Sequence, residues 1–289
     1  MSEDLGEQSD DTGEDRIEPP GLGPLNADVP REHVIGFPLL AGITVRVDQP
    51  NAGLRQLPLP ILSRLAGSVG LSLADASGSE IARKDPRPVP AQDLGIPVFH
   101  LVPGETRRAL VEVSDVLPFR KIGAGRYLLR VLYASPQSRT ASDPAPITVR
   151  EPTARDQDAL DALALERSAA GTWGDWTMLS ATDRSALSGP FDPADPLLYL
   201  RVLRYLREGA ENLSAIDPSI LDGISGPPAK EALLLRAELA WARADRAAFQ
   251  AIAAHVQQNH PGLDWWVKKI AEGRSDIAFA RSIRPKPVP

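Results

Sequence analysis

The chain has 289 residues, 43% of them apolar, a net charge of −6 and no cysteine. That length suits about two domains, and the composition permits sizeable cores. Disulfides, thiol catalysis and thiolate metal sites are excluded outright.

The charge has a local origin. Residues 1–20 carry eight acidic side chains against Arg16 alone, a local charge of −7. The other 269 residues hold 30 acids and 31 bases, so no charge excess favours nucleic acid. Residues 1–29 read as an acidic tail too polar to bury. They lack the basic start and apolar core of a signal peptide. No apolar run approaches a membrane span. The expectation is a cytoplasmic protein with no membrane span; secretion would need a leader outside this sequence.

From residue 30 to 152 short alternating runs are separated by Pro, Gly and Asp, the pattern of an antiparallel β-sandwich. Ile43, Val45 and Val47 alternate in the first run, and Val69, Leu71 and Leu73 in the second. Asp75 to Gly78 supplies the turn after it. "GIPVFHLVPGE" and "RRALVEVSDVL" follow, divided at Pro103-Gly104. Pro58 and Pro60 keep Pro50–Leu65 out of a central strand, which leaves an edge strand or a crossing loop.

The next strand, "GAGRYLLRVLY", places Tyr127 just after Gly123 and Gly125, with Leu129, Val131 and Tyr133 on the same face. This segment resembles the "G-x-Y-x-L-x-V" strand of bacterial immunoglobulin-like domains, and "LVPGET" resembles the turn before one of their outer strands. The resemblance implies a tyrosine corner, in which the Tyr127 hydroxyl folds back onto the preceding turn. Leu129 stands where antibody domains carry a cysteine. Such folds host binding more often than catalysis.

At Glu151-Pro152 the pattern switches to helices. Eighteen of the 28 prolines lie at or before Pro152, and all five tryptophans lie after it. Residues 153–275 read as a small all-α domain, so the fold class is an immunoglobulin-like sandwich followed by helices. Thr153 is an N-cap with Asp156 three residues on. The first helix is expected to stop at Gly171. Asp-Pro pairs at 192–193, 195–196 and 217–218 mark further helix starts. Tyr199, Val202, Leu203 and Leu206 form one helical stripe.

"PAKEALLLRAELAWARADRAAFQAIAAHVQQNHPG" reads as two helices joined at Ala244-Asp245. Phe249, Ile252, Ala253 and Val256 face Leu234, Ala237 and Trp241. The unit resembles a single tetratricopeptide repeat, with Ala237 at its small position and Pro261 at its terminal proline. Phe249 and Ala253 depart from that repeat's pattern, and no second copy is in register. A last helix spans about Asp264–Glu272, and residues 276–289 read as an extended tail.

No nucleotide-binding or hydrolase fingerprint is present, and no cofactor or metal is expected. His33, His100, His255 and His260 show no recognised metal spacing. Asp156, Asp158 and Asp161 fall on different faces of a helix, unlike a calcium loop. Trp173, Trp176, Trp265 and Trp266 are the candidate partner-binding residues. They either seal the helices together and against the sandwich or line a groove for a peptide or partner helix. The expected function is noncatalytic binding of a protein or peptide. The alternatives are an enzyme inhibitor acting through "ARKDPRPVPAQDLGIP", residues 82–97, and an enzyme with a loop-borne site.

Overall fold

The computed structural model describes residues 25–46, 69–87, 104–113, 116–135, 138–161, 197–206, 212–275 and 277–278. Among them nine strands come first: β1 (Asn26–Asp28), β2 (Glu32–Val34), β3 (Leu40–Arg46), β4 (Val69–Ala74), β5 (Glu80–Lys84), β6 (Thr106–Glu112), β7 (Gly125–Ser135), β8 (Ser138–Ala141) and β9 (Ala145–Arg150). A one-turn helix, α1 (Phe119–Ile122), interrupts them before β7. Helices then dominate: α2 (154–161), α3 (Leu198–Arg204), α4 (Pro228–Ala242), α5 (Arg246–Asn259) and α6 (Asp264–Ala271).

The strands form two sheets, ordered β1-β3-β6 and β2-β9-β7-β4-β5, with β8 also on β7. Ala41, Ile43, Val45, Ala109 and Val111 of the first share one buried cluster with Leu71, Leu73, Leu129, Val131, Tyr133, Ile147 and Val149 of the second. Alternation along each strand delivers these residues to one face, so the two sheets enclose a common core. The second sheet is mixed rather than antiparallel throughout, because β2 runs parallel to β9. Arg150 stabilises that pairing: its Nε donates to Glu32 across the two strands at 2.7 Å, and its guanidinium also reaches Asp156.

The turns follow the local chemistry. In the β4–β5 hairpin the Asp75 carboxylate accepts from the Ser77 and Ser79 amides, and Gly78 takes φ +89°. Thr153 and Asp156 cap α2 reciprocally, the Thr153 amide donating to Asp156 at 2.8 Å and the Asp156 amide to the Thr153 hydroxyl at 3.3 Å. Ala244, at φ +56°, turns the chain between α4 and α5, and Asp245 caps α5 through the Ala248 amide.

Tyr127 makes the expected corner. Its hydroxyl donates to the Gly123 carbonyl at 3.2 Å. A Cβ at residue 125 would stand 2.8 Å from that hydroxyl, so only glycine leaves the ring its place. Tyr127→Phe keeps the ring and removes the bond. Urea unfolding is expected to show a loss of about 1 kcal/mol, and an unchanged midpoint would remove the corner from the account of stability.

Three further features differ from the sequence reading. Residues 26–28, assigned to the acidic tail, form β1 on β3. Ile277, assigned to the extended tail, is buried in the helical cluster. That cluster also contains Val34, Phe37 and Leu110 from the β region, so the helices do not form a core of their own. The β1-β3-β6 sheet is a middle layer, with the other sheet on one face and helices on the other. This explains the near-continuous burial of β6, since a strand covered on both faces loses the alternating pattern.

Candidate functional site

The helices are joined to the sheet at β6, an edge strand. Its exposed backbone groups need partners, and the α5–α6 turn and α6 supply them. The Arg108 amide donates to the Gly262 carbonyl at 3.1 Å, and the Trp266 indole donates to the Arg108 carbonyl at 3.3 Å. Gly262 has φ +97°, and a Cβ there would lie 2.8 Å from the Arg108 nitrogen.

The Arg108 side chain enters the same junction. Its Nε donates to Glu231 at 2.8 Å, and its Nη2 donates to the Pro227 carbonyl at 3.2 Å and to Asp28 at 3.3 Å. Lys230 closes the network by donating to Asp28 at 2.8 Å. Two cations thus meet two carboxylates. Glu231 is 0% exposed and Arg108 4%. Burial pushes the Glu231 carboxyl up to about 7 although Arg108 pulls it down. Gly42 makes the space: a Cβ there would stand 2.0 Å from an Arg108 guanidinium nitrogen.

Trp265 and Trp266 belong to this junction. Their rings meet edge to face, with centroids 4.4 Å apart. Trp266 is buried in the cluster shared with the sheet. Trp265 is half-buried, with the Arg107 guanidinium 4.9 Å and the Lys269 ammonium 5.0 Å from its ring centroid. These contacts are those of a seal between helices and sheet. Trp173, Trp176, His100 and the loop residues 88–97 lie outside the described residues.

A separate groove runs along the α4–α5 hairpin, with a volume of about 370 Å³. Leu233, Ala240, Ala248 and Ile252 supply apolar wall, Arg236 and Arg243 supply cations, and Asp245, which caps α5, supplies a carboxylate. Arg236 pairs with Asp222, whereas Arg243 donates to the Ser214 and Ile216 carbonyls. Next to the groove in sequence, Trp241 is 42% exposed and packs on Phe249 at 5.2 Å. The hairpin was legible in the sequence; its two arginines were not singled out there, since nothing local marks them.

Of the other histidines, His33 is buried beside Phe119, its ring 4.9 Å away, and burial lowers its pKa to about 4. It is therefore a neutral packing residue. His255 and His260, unpaired in the sequence reading, come together at the end of α5.

No family model matches the chain, and no curated protein does. A β-glucosidase from Listeria innocua in complex with glucose is 16% identical at a TM-score of 0.25, over 44% of this chain and 16% of its own. The same enzyme's isofagomine complex is 17% identical at 0.24, again over 44% of this chain and 16% of its own. The sulfur carrier protein SoxY from Chlorobium limicola f thiosulfatophilum is 8% identical at 0.16, over 46% of this chain and 83% of its own. The chain spans 16% of the length of the glucosidase it matches. Likenesses at these scores carry no argument about function. Among the described residues, no helix is long and apolar enough to cross a membrane.

Proposed function

We propose that this chain is a noncatalytic binding protein, an immunoglobulin-like sandwich braced to a tetratricopeptide-like hairpin that holds a peptide segment of a protein partner. The observation that carries this reading is the α4–α5 groove, whose apolar wall lies beside two guanidinium groups. Apolar wall with a few placed polar groups is the usual make-up of a recognition site. Arg243 spends its donors on the Ser214 and Ile216 carbonyls, with the Asp217 carboxylate near enough to feel its charge. The occupant this chemistry fits is a peptide presenting an acidic side chain next to an apolar one. The Trp265–Trp266 pair contributes by holding the hairpin rigidly on the sheet.

Ala251 lines the groove and is exposed, so arginine there fills the groove without entering a core. Peptides selected from a displayed library on the full chain are expected to be enriched in acidic-apolar pairs. Ala251→Arg is expected to weaken their binding at least tenfold by fluorescence anisotropy, with an unchanged circular dichroism spectrum. Peptides that bind the variant as well as the parent, or a selection that enriches nothing, would overturn the assignment of the groove.

A further inference from the structure

We propose that His255 and His260 form an acid-sensitive latch on the turn that fastens the helices to β6: the neutral pair holds the turn closed, and protonation lets it open. The device is independent of the peptide reading, although His255 also borders the groove.

The hydrogen bonds of the pair are complete only when both rings are neutral. The Asn259 Nδ2 donates to the His255 carbonyl at 3.1 Å, which fixes the amide, and it lies 3.2 Å from His255 Nδ1. Nδ1 is therefore an acceptor, and this network assigns the proton of the neutral His255 ring to Nε2. That atom stands 3.3 Å from His260 Nε2, so His255 donates and His260 accepts. An added proton has no good place. On His260 Nε2 it would set two N–H groups head to head. On His255 Nδ1 it would face the Asn259 Nδ2, itself a donor.

The surrounding charges press the same way. Burial lowers the His260 pKa, followed by the nearby His255, Lys230 of α4 and Arg108 of β6. The carboxylates of the junction are engaged elsewhere. Asp28 of β1 pairs with Lys230 and Arg108, Glu231 of α4 pairs with Arg108, and Asp264 of α6 accepts from the Gly262 amide at 3.2 Å. On its groove side His255 shares the lining with the cations Arg236 and Arg243, and Asp245 lies at the opposite end of α5.

The place of the pair in the fold makes it a latch. His260 is the residue after α5, and its backbone, φ −133° and ψ 67°, leaves the helical path. A five-residue separation on a continuing helix would send the rings about 140° apart; here they meet at 5.2 Å. Pro261 and Gly262 follow directly, and the Gly262 carbonyl accepts the Arg108 amide that covers the β6 edge. The imidazole contact thus sets the direction in which the chain leaves α5 for the sheet. Above pH 6.5, the ordinary value, the His260 ring is neutral whether latched or free. As pH falls below it, the freed ring takes up a proton that the latched ring refuses, so opening is favoured.

The test follows the His260 ring resonances and the exchange of the Arg108 amide by NMR on the full chain, with exchange rates corrected for their intrinsic pH dependence. His260 is expected to titrate below 6.5. Opening at Arg108 is expected to rise by about threefold or more between pH 7.5 and 5.5. His260→Gln, which does not titrate, should abolish that rise. Should this variant fail to fold at pH 7.5, His255→Gln replaces it: glutamine can still donate to His260 but adds no charge, so the rise should shrink. Glu231→Gln controls for the other titrating group of the junction and should keep the rise. Ordinary titration of His260, or an Arg108 amide equally protected at both pH values, would overturn the proposal. A rise that persists in His260→Gln and disappears in Glu231→Gln would make the carboxyl the sensor and overturn it equally.

Discussion

Arg108→Met is expected to cost the folded state about 3–5 kcal/mol, seen as a lower urea midpoint at unchanged slope, because it strands a buried Glu231 without its partner. The carboxylate receives 2.8 and 3.4 Å contacts from this one guanidinium. Methionine fills part of the volume but donates nothing. The cost belongs to the buried carboxyl left without its hydrogen-bond partner more than to the lost attraction. Arg108→Met with Glu231→Leu should therefore recover most of the loss, since an apolar pair of similar volume carries no desolvation penalty. The double-mutant cycle isolates the coupling. Gly42→Ala approaches the site from the opposite side, because its Cβ would displace the guanidinium from β3. A loss below about 1 kcal/mol for Arg108→Met would mean the side chain reaches solvent, as an exposed pair would.

The same junction bears on the two-domain expectation. Val34, Phe37 and Leu110 lie in the helical cluster, and residues 30–152 expressed alone would present them to water. The composition switch at Pro152 is real, but composition reports which elements form and not what covers them.

What was legible is what short-range chemistry controls. The Tyr127 corner, the Asp75–Gly78 turn, the Thr153–Asp156 box and the Ala244-Asp245 turn each involve residues within about five positions, where donor, acceptor and backbone preference can be read together. The junction was not legible. Arg108 and Glu231 are 123 positions apart, and Asp28 and Lys230 are 202 apart. Glu231 carries no mark of burial either: in "PAKEALLLRAEL" it reads as an exposed first-turn acid. α4 is covered on nearly every side, which erases the stripe that would have shown its inward face. His255 and His260 escaped for a different reason. Their separation is not a helical repeat, and only the departure of His260 from the helix brings the rings together.

Opposite pH dependences are expected from His33 and Glu231, and single substitutions should separate them. Burial holds the folded His33 at about 4 against 6.5 for the free side chain. Above 6.5 the ring is neutral in both states and contributes nothing. As pH falls toward 4 the unfolded ring takes up a proton that the folded ring refuses, so stability drops by about 3 kcal/mol over that range. Glu231 behaves in reverse. Its folded value of about 7 lies above the ordinary 4.5. Below 4.5 both states are protonated and its stabilising contribution is complete. As pH rises to 7 the unfolded carboxyl ionises while the folded one resists, and a similar amount is lost. Over pH 4.5–6.5 the two effects nearly cancel in the parent chain. His33→Leu should then lose stability as pH rises from 4.5 to 7, and Glu231→Gln should gain it from 4 to 6.5. Urea midpoints at several pH values for the three proteins test this, with exposed carboxylates such as Asp75 common to all and cancelling in the comparison. If both variants keep the parent's slope, neither group titrates differently in the folded chain, and the burial of the Arg108–Glu231 pair falls with that result.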